Sequence, residues 1–284
     1  MTINSTHVSD WRYLTGGQAP TGDPDLTIAQ VSDLHGQLGP SQQVFYKYTM
    51  GGPPIDFGGD RTVVRPVGGL ATHVAKLNAL RANGDTLVLM SGDTFHGSAE
   101  TTFTNGSIMI EQINEHLRPD VYMPGNWDFG HEGVSDGRAL ELFDSLTAPA
   151  LATNLRDWDG NQIYDGYTLF ERGGRTIGVV GMTNPYIDRM APAFHEGKYA
   201  FDKSPTVLDE VATAAREAGA DLVIAVTEIG LPWMVQAAKD FESVDVALSA
   251  HTHEYTYEPI HVDRTGTVVI ESGMGEALGR IDLR

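Results

Sequence analysis

Four apolar runs in this chain of 284 residues each end on side chains that bind cations. Leu87-Val88-Leu89-Met90 leads into Ser91-Gly92-Asp93, and Leu26 to Val31 stops at Ser32-Asp33-Leu34-His35-Gly36. Val121-Tyr122-Met123 stops at Pro124-Gly125-Asn126-Trp127-Asp128, and Val244 to Leu248 stops at Ser249-Ala250-His251-Thr252-His253. The yield is the carboxylates Asp33 and Asp93, the amide Asn126 and the imidazoles His35, His251 and His253. Oxygen ligands mixed with imidazole suit Mn, Fe, Zn or Mg. Asp93, with two oxygens, can bridge two such ions. One DxH or HxH pair is weak evidence, but four such endings in one chain point to a metal centre.

Those side chains converge only if the runs are parallel strands whose carboxyl ends share one crevice. The intervening spacing agrees. Leu70, Val74, Leu77 and Leu80 predict a helix over 70–82 closed by Gly84, and Gly106 to Leu117 predicts another, stopped by Pro119. Ala139 to Leu146, Val207 to Ala218 and Trp233 to Lys239 also read as helices. Leu151 to Asn154 reads as a strand ending on an amide, and Asp221 to Val226 as a buried strand ending at Thr227-Glu228. Tyr167 to Gly181 brackets Gly173-Gly174 as a hairpin, and the strands at 267–270 and 278–283 are expected to pair in the same way. Strands alternating with helices imply a layered α/β fold, antiparallel in part. Residues 1–25 are expected to be a loose arm ahead of one domain over 26–284. The Gly- and Pro-rich stretch from Phe45 to Pro66 is either a lid or an insertion.

The formal charge is −19, and Lys occurs only at 47, 76, 198, 203 and 239. Nucleic acid and anionic lipid need clustered cations, so neither is an expected partner. The acidity fits either a saline setting or an ordinary acidic protein. There is no Cys, which excludes disulfides and thiolate chemistry. No apolar leader precedes residue 17, so the chain is expected to be cytoplasmic if complete, and exported or periplasmic if a leader was removed. Oligomeric state is not legible.

In this order the motifs resemble the calcineurin-like metallophosphoesterases. The likeness is closest to the catalytic domain of the 5′-nucleotidase group, through 33–38, Val67 to Ala71, Gly92 to Ser98, Gly125 to Phe129, Asn154, Gly178 to Gly181 and Leu278 to Leu283. The resemblance implies a four-layer α/β/β/α sandwich of mixed sheets. It also implies two divalent ions, Mn foremost with Fe, Zn or Mg as alternatives, and a small phosphorylated substrate. By the family pattern Asp33, His35 and His253 hold one ion, Asn126 and His251 the other, and Asp93 both. Asn126, Trp127 and Asn154 would meet substrate, and Asp128 belongs to the catalytic motif. The chain stops near where that catalytic domain would end, so the nucleotide-specificity domain that follows in that group is expected to be missing.

Two positions depart from the pattern. Trp127 replaces a His near the leaving group, and an indole N–H cannot act as an acid. A Trp there resembles instead the thiosulfohydrolases of bacterial sulfur oxidation, as do Gly97-Ser98-Ala99 and Asn184-Pro185-Tyr186. Those enzymes carry His where this chain has Asn126. Glu228 also replaces a His ligand of the second ion. As a ligand it would shift preference from Zn toward Mn, Mg or Fe; otherwise it lies outside the coordination sphere or faces solvent. In such a site a water of lowered pKa attacks phosphorus, or sulfur, in line. The proton for the leaving group would come from His96 or His131. The expected function is hydrolysis of small phosphate monoesters. The alternatives are hydrolysis of a carrier-bound cysteine S-sulfonate, or metal binding without catalysis.

Overall fold

The apolar runs form strands buried on both faces, which is why they read as continuous rather than alternating. The computed structural model describes residues 3–7, 24–46, 62–130, 138–190, 199–256 and 258–283. Its strands, in chain order, are β1 (Ile3–His7), β2 (Leu26–Ser32), β3 (Ser41–Tyr46), β4 (Thr62–Val67), β5 (Thr86–Ser91), β6 (Val121–Met123), β7 (Leu155–Asp157), β8 (Tyr167–Arg172), β9 (Arg175–Met182), β10 (Tyr199–Phe201), β11 (Leu222–Thr227), β12 (Val246–Ser249), β13 (Ile260–His261), β14 (Val268–Glu271) and β15 (Gly279–Leu283). One sheet has the order β1-β15-β2-β5-β6 and the other β13-β14-β12-β11-β9-β8, with β3-β4 and β10-β7 as small ribbons. Each large sheet is parallel at its centre, where β2, β5 and β6 run together, as do β9, β11, β12 and β14. Antiparallel strands lie at the margins.

Alternate residues of each strand serve two cores. Leu26, Ile28, Leu87 and Leu89 meet Ile177, Val179, Leu222 and Ile224 between the sheets. Val31, Val88 and Met90 point the other way and cluster with Leu70 and Leu77 of the helix Leu70–Asn83 and with Met109 and Ile113. On the far side, Val223, Ala225 and Val269 cluster with Leu208 and Ala212 of the helix Thr206–Glu217 and with Met234 of Leu231–Ala237. The result is the expected α/β/β/α sandwich. Each fully buried Leu, Ile or Val contributes roughly 1.5–3 kcal/mol. Among the described residues no helix is long and apolar enough to cross a membrane.

The helix expected over Gly106–Leu117 is α-helical through Ser107–Gln112, widens to a π turn at Ile113–Leu117 and ends at Arg118 with φ 50°, before Pro119. The 167–182 hairpin turns through Gly173 and Gly174 at φ 55° and 70°, values that favour glycine.

Three expectations are corrected. Leu151 to Asn154 is not a strand: the Leu151 N–H donates to the Tyr122 carbonyl of one sheet and the Thr153 N–H to the Gly181 carbonyl of the other, so no ladder forms. The last two strands are not a hairpin. β14 pairs with β12 while β15 lies between β1 and β2, so the chain crosses from sheet to sheet and both strands bury side chains in the core between them. Within residues 1–25, Ile3–His7 is an edge strand on β15, held by backbone pairing that needs no apolar pattern; residues 8–23 lie outside the described part. In the stretch from Phe45 to Pro66, the two ends extend a β3-β4 ribbon, and residues 47–61, the lid candidate, lie outside the described residues.

Candidate metal centre

Strand register sets the site. Ser32 pairs with Ser91 and Ser91 with Met123, so three ligand-bearing loops leave the first sheet at one level. In the second sheet Thr227 lies beside Met182 and Ser249 beside Glu271. Polar bonds join the two rims. Gln30 Nε2 donates to the Ser249 carbonyl at 2.8 Å, the Asn126 N–H to Glu228 Oε2 at 2.8 Å and the His251 N–H to Asp33 Oδ1 at 3.3 Å.

The loops turn sharply after each strand. Asp33, His35, Asp93, His251 and His253 have φ of 49°, 46°, 43°, 90° and 56°; only Asn105 and Arg118 join them among the described non-glycine residues. A left-handed conformation costs roughly 1–2 kcal/mol per residue and persists where surrounding structure imposes it. Close approach adds a second constraint. A Cβ on Gly125 would lie 2.2 Å from the Asp93 nitrogen, so only glycine lets the Asn126 loop reach Asp93.

One ligand atom from each of Asp33, His35, Asp93 and His253 lies within 4.8 Å of the others. His35 Nε2 and His253 Nε2 are 3.1 Å apart, His253 Nε2 is 3.4 Å from Asp33 Oδ1, and His35 Nε2 is 4.0 Å from Asp93 Oδ2. Beside this group, His251 Nδ1 lies 2.9 Å from Asn126 Oδ1 and 3.7 Å from Glu228 Oε1. Turning the Asn126 amide over would instead place a donor 3.1 Å and 3.3 Å from the Glu228 oxygens.

Asp33, Asp93 and Glu228 are buried, and among the described residues their ion pairs are with His253, His35 and His251, not with Lys or Arg. Burial, and then Glu228, Asp128 and Asp33, push the Asp93 carboxyl well above its usual range. Glu228 is raised by burial and then by Asp33 and Asp128. His35 is lowered to about 4, by burial first and His96 second. Asp33 Oδ2 is buried with no hydrogen-bond partner. Uncompensated buried carboxylates cost several kcal/mol each. Divalent cations would remove that cost, so the donor set fits them.

The other expected site residues that the structure describes lie around these ligands. Asp128 accepts from the N–H groups of Thr94, Phe95 and Gly125 and from the Tyr122 hydroxyl, at 2.6, 3.0, 2.8 and 2.5 Å. Four donors fill both oxygens, so this carboxylate braces the two loops and has no acceptor position for a substrate proton. Asn154 donates to the Thr183 and Asp202 carbonyls and accepts from the Thr183 N–H, leaving no donor for substrate. His96 is engaged with His35, Nε2 to Nδ1 at 2.9 Å. Trp127 donates its backbone N–H to Asp93 Oδ1 at 2.8 Å, and its half-exposed ring stacks on His96. His131 lies outside the described residues.

Glu271 was not singled out from the sequence. Its carboxylate accepts from Ser249 Oγ, Thr252 Oγ1 and the Glu254 N–H at 2.7, 2.8 and 3.0 Å, fixing the loop that carries both histidines. The signal was present, since Val268-Val269-Ile270-Glu271 is another apolar run ending on a carboxylate.

A family model described as calcineurin-like phosphoesterase matches residues 26–255. The probable 5′-nucleotidase of Treponema pallidum is 26% identical over 246 residues, which is 82% of this chain and 37% of that protein. The NAD 5′-nucleotidase of Haemophilus influenzae is 26% identical over 247 residues, 82% of this chain and 36% of its own length. The chain thus spans well under half the length of these curated relatives. Among solved structures, the sulfate thiohydrolase SoxB of Thermus thermophilus superposes with a TM-score of 0.79 at 25% identity, over 94% of this chain and 55% of that one.

Proposed function

The chain belongs to the calcineurin-like phosphoesterase family, and from that premise we propose a dinuclear-metal-dependent hydrolase of small phosphate monoesters, of the 5′-nucleotidase kind. The observation that supports this reading is the meeting of Asp33, His35, Asp93 and His253 in one cluster, with Glu228 against Asp93 and His251 against Glu228 and Asn126. Asp33, His35 and His253 would hold one ion and Asn126, Glu228 and His251 the other, with Asp93 common to both. When bound, divalent ions acidify a water and neutralise charge on the phosphoryl group.

The protein's own groups prepare that chemistry. His96 would accept the Nδ1 proton of His35, which leaves His35 Nε2 free to ligate. The Trp127 N–H fixes Asp93 by one oxygen and leaves Oδ2 toward His35. Asn126, turned oxygen-inward, would present its amide N–H to a phosphoryl oxygen. Glu228 makes the second site oxygen-rich, which favours Mn over Zn.

Trp127 and the likeness to SoxB support a second reading, in which the reacting group is a sulfonate. The test is release of phosphate from a panel of monoesters, with added Mn and after chelation. Mn-dependent release supports the phosphoesterase. Inactivity on every ester, with sulfate released from a cysteine S-sulfonate peptide, supports the second reading instead.

A further inference from the structure

A pocket of about 360 Å³ opens beside the metal centre, and His251 and Thr252 line it. Met182, Pro185 and Ile229 give it apolar walls, and Tyr186 and Trp233 stand edge to face there with ring centroids 5.7 Å apart. Trp233 belongs to the helix Leu231–Ala237, which buries Leu231 and Met234 on its other side, yet the indole is 60% exposed. Here the indole is part of a concave apolar lining shared with Tyr186, the form that small-molecule sites take. Tyr186 is anchored to the metal-bearing strand end. Its N–H donates to Asn184 Oδ1, and Asn184 Nδ2 donates to the Glu228 carbonyl at 3.0 Å.

The pocket shares His251 with the centre, so a group filling it belongs to the molecule whose phosphate sits there. Trp127 cannot give up a proton, His96 is bonded to His35, and the Lys203 ammonium on the pocket wall is held by Asp188, so no free acid faces a leaving group among the described residues. Without an acid, turnover favours a leaving group that is stable as an anion. A phenolate is such a group, and its planar ring suits apolar walls with an edge-to-face aromatic pair.

We propose that Tyr186 and Trp233 form a leaving-group pocket that selects aryl phosphates, a specificity that rests on the phosphoesterase reading. In the reaction the oxygen of water bonds to phosphorus, the bond from phosphorus to the aryl oxygen breaks with its electron pair on that oxygen, and the phenolate takes a proton from solvent. The products are a phenol and inorganic phosphate.

The experiment compares the full chain with Trp233→Ala, an exposed position whose truncation spares the core. Hydrolysis of 1-naphthyl phosphate, a nucleoside 5′-monophosphate and glycerol phosphate is measured with Mn, and binding of 1-naphthol is measured by calorimetry without turnover. The expected result is a roughly tenfold loss of kcat/KM for naphthyl phosphate, carried by KM, with glycerol phosphate unchanged. Binding of 1-naphthol should weaken in parallel. Equal losses on all three substrates, no loss on any, or a wild-type preference for the nucleotide would overturn the proposal while leaving a phosphoesterase. Trp233-dependent binding of 1-naphthol with no phosphate released from any ester would support the aromatic pocket and overturn both the aryl phosphate assignment and the phosphoesterase reading.

Discussion

His96 Nε2 lies 2.9 Å from His35 Nδ1, and the same imidazole stacks on Trp127 with ring centroids 5.2 Å apart. An acceptor at Nδ1 fixes the tautomer in which His35 offers Nε2, the nitrogen that faces His253. His96→Ala should therefore weaken metal retention by roughly 10–100-fold. His96→Gln, which restores an acceptor, should recover part of the loss. Mn titration of the three proteins decides it; equal affinity would remove His96 from the centre.

Asp93→Asn separates metal binding from stability. Asp93 is crowded by Glu228, Asp128 and Asp33, so neutralising it relieves repulsion when no cation is present. The metal-stripped variant should melt a few degrees above the metal-stripped parent, while its metal content falls from two ions per chain to one or none. A lower melting point without metal would contradict the crowding argument.

Glu271→Ala strands the donors of Ser249, Thr252 and Glu254. Of these Ser249 is buried, and an unsatisfied buried donor costs about 1–3 kcal/mol, so urea unfolding should register a loss of about that size. Glu271→Gln keeps an acceptor and should lose less. Metal retention should fall in the same order, because His251 and His253 lie on the loop that Glu271 holds.

His73 is fully buried, with Nε2 on the Gly275 carbonyl at 2.8 Å, and burial lowers its pKa to about 4. In the unfolded chain a His titrates near 6.5. Between those values the unfolded state binds the extra proton, so His73 stabilises the fold at neutral pH and that contribution fades as pH falls from about 6.5 to about 4. The full effect is roughly 3 kcal/mol by linkage. His73→Gln, which keeps a donor toward Gly275, should show a shallower acid limb by up to one proton when unfolding is followed from pH 7 to 4.

Much of the centre could be read from short stretches of chain. Each of Asp33, Asp93, Asn126, Glu228 and His251 follows an apolar run within a few residues, so one pattern carries the residue type, the strand and the end on which it emerges. The helix Leu70–Asn83 and the turn at Gly173-Gly174 were legible for the same reason, since helical period and positive φ are local properties.

The sequence by itself determined which side chains would stand at strand ends and which would be buried, because side chains alternate between the two faces of a strand and these runs are apolar on both. Only the tertiary structure decided the partners. Alternation is identical whether β14 and β15 pair with each other or lie in opposite sheets, so nothing local separated those cases. Asp128 and His96 sit in motifs that read as catalytic, yet their roles turn on Thr94 and His35, residues 34 and 61 positions away. Such bonds form when distant loops are brought together by strands in register, and hydrophobic pattern does not encode that closure.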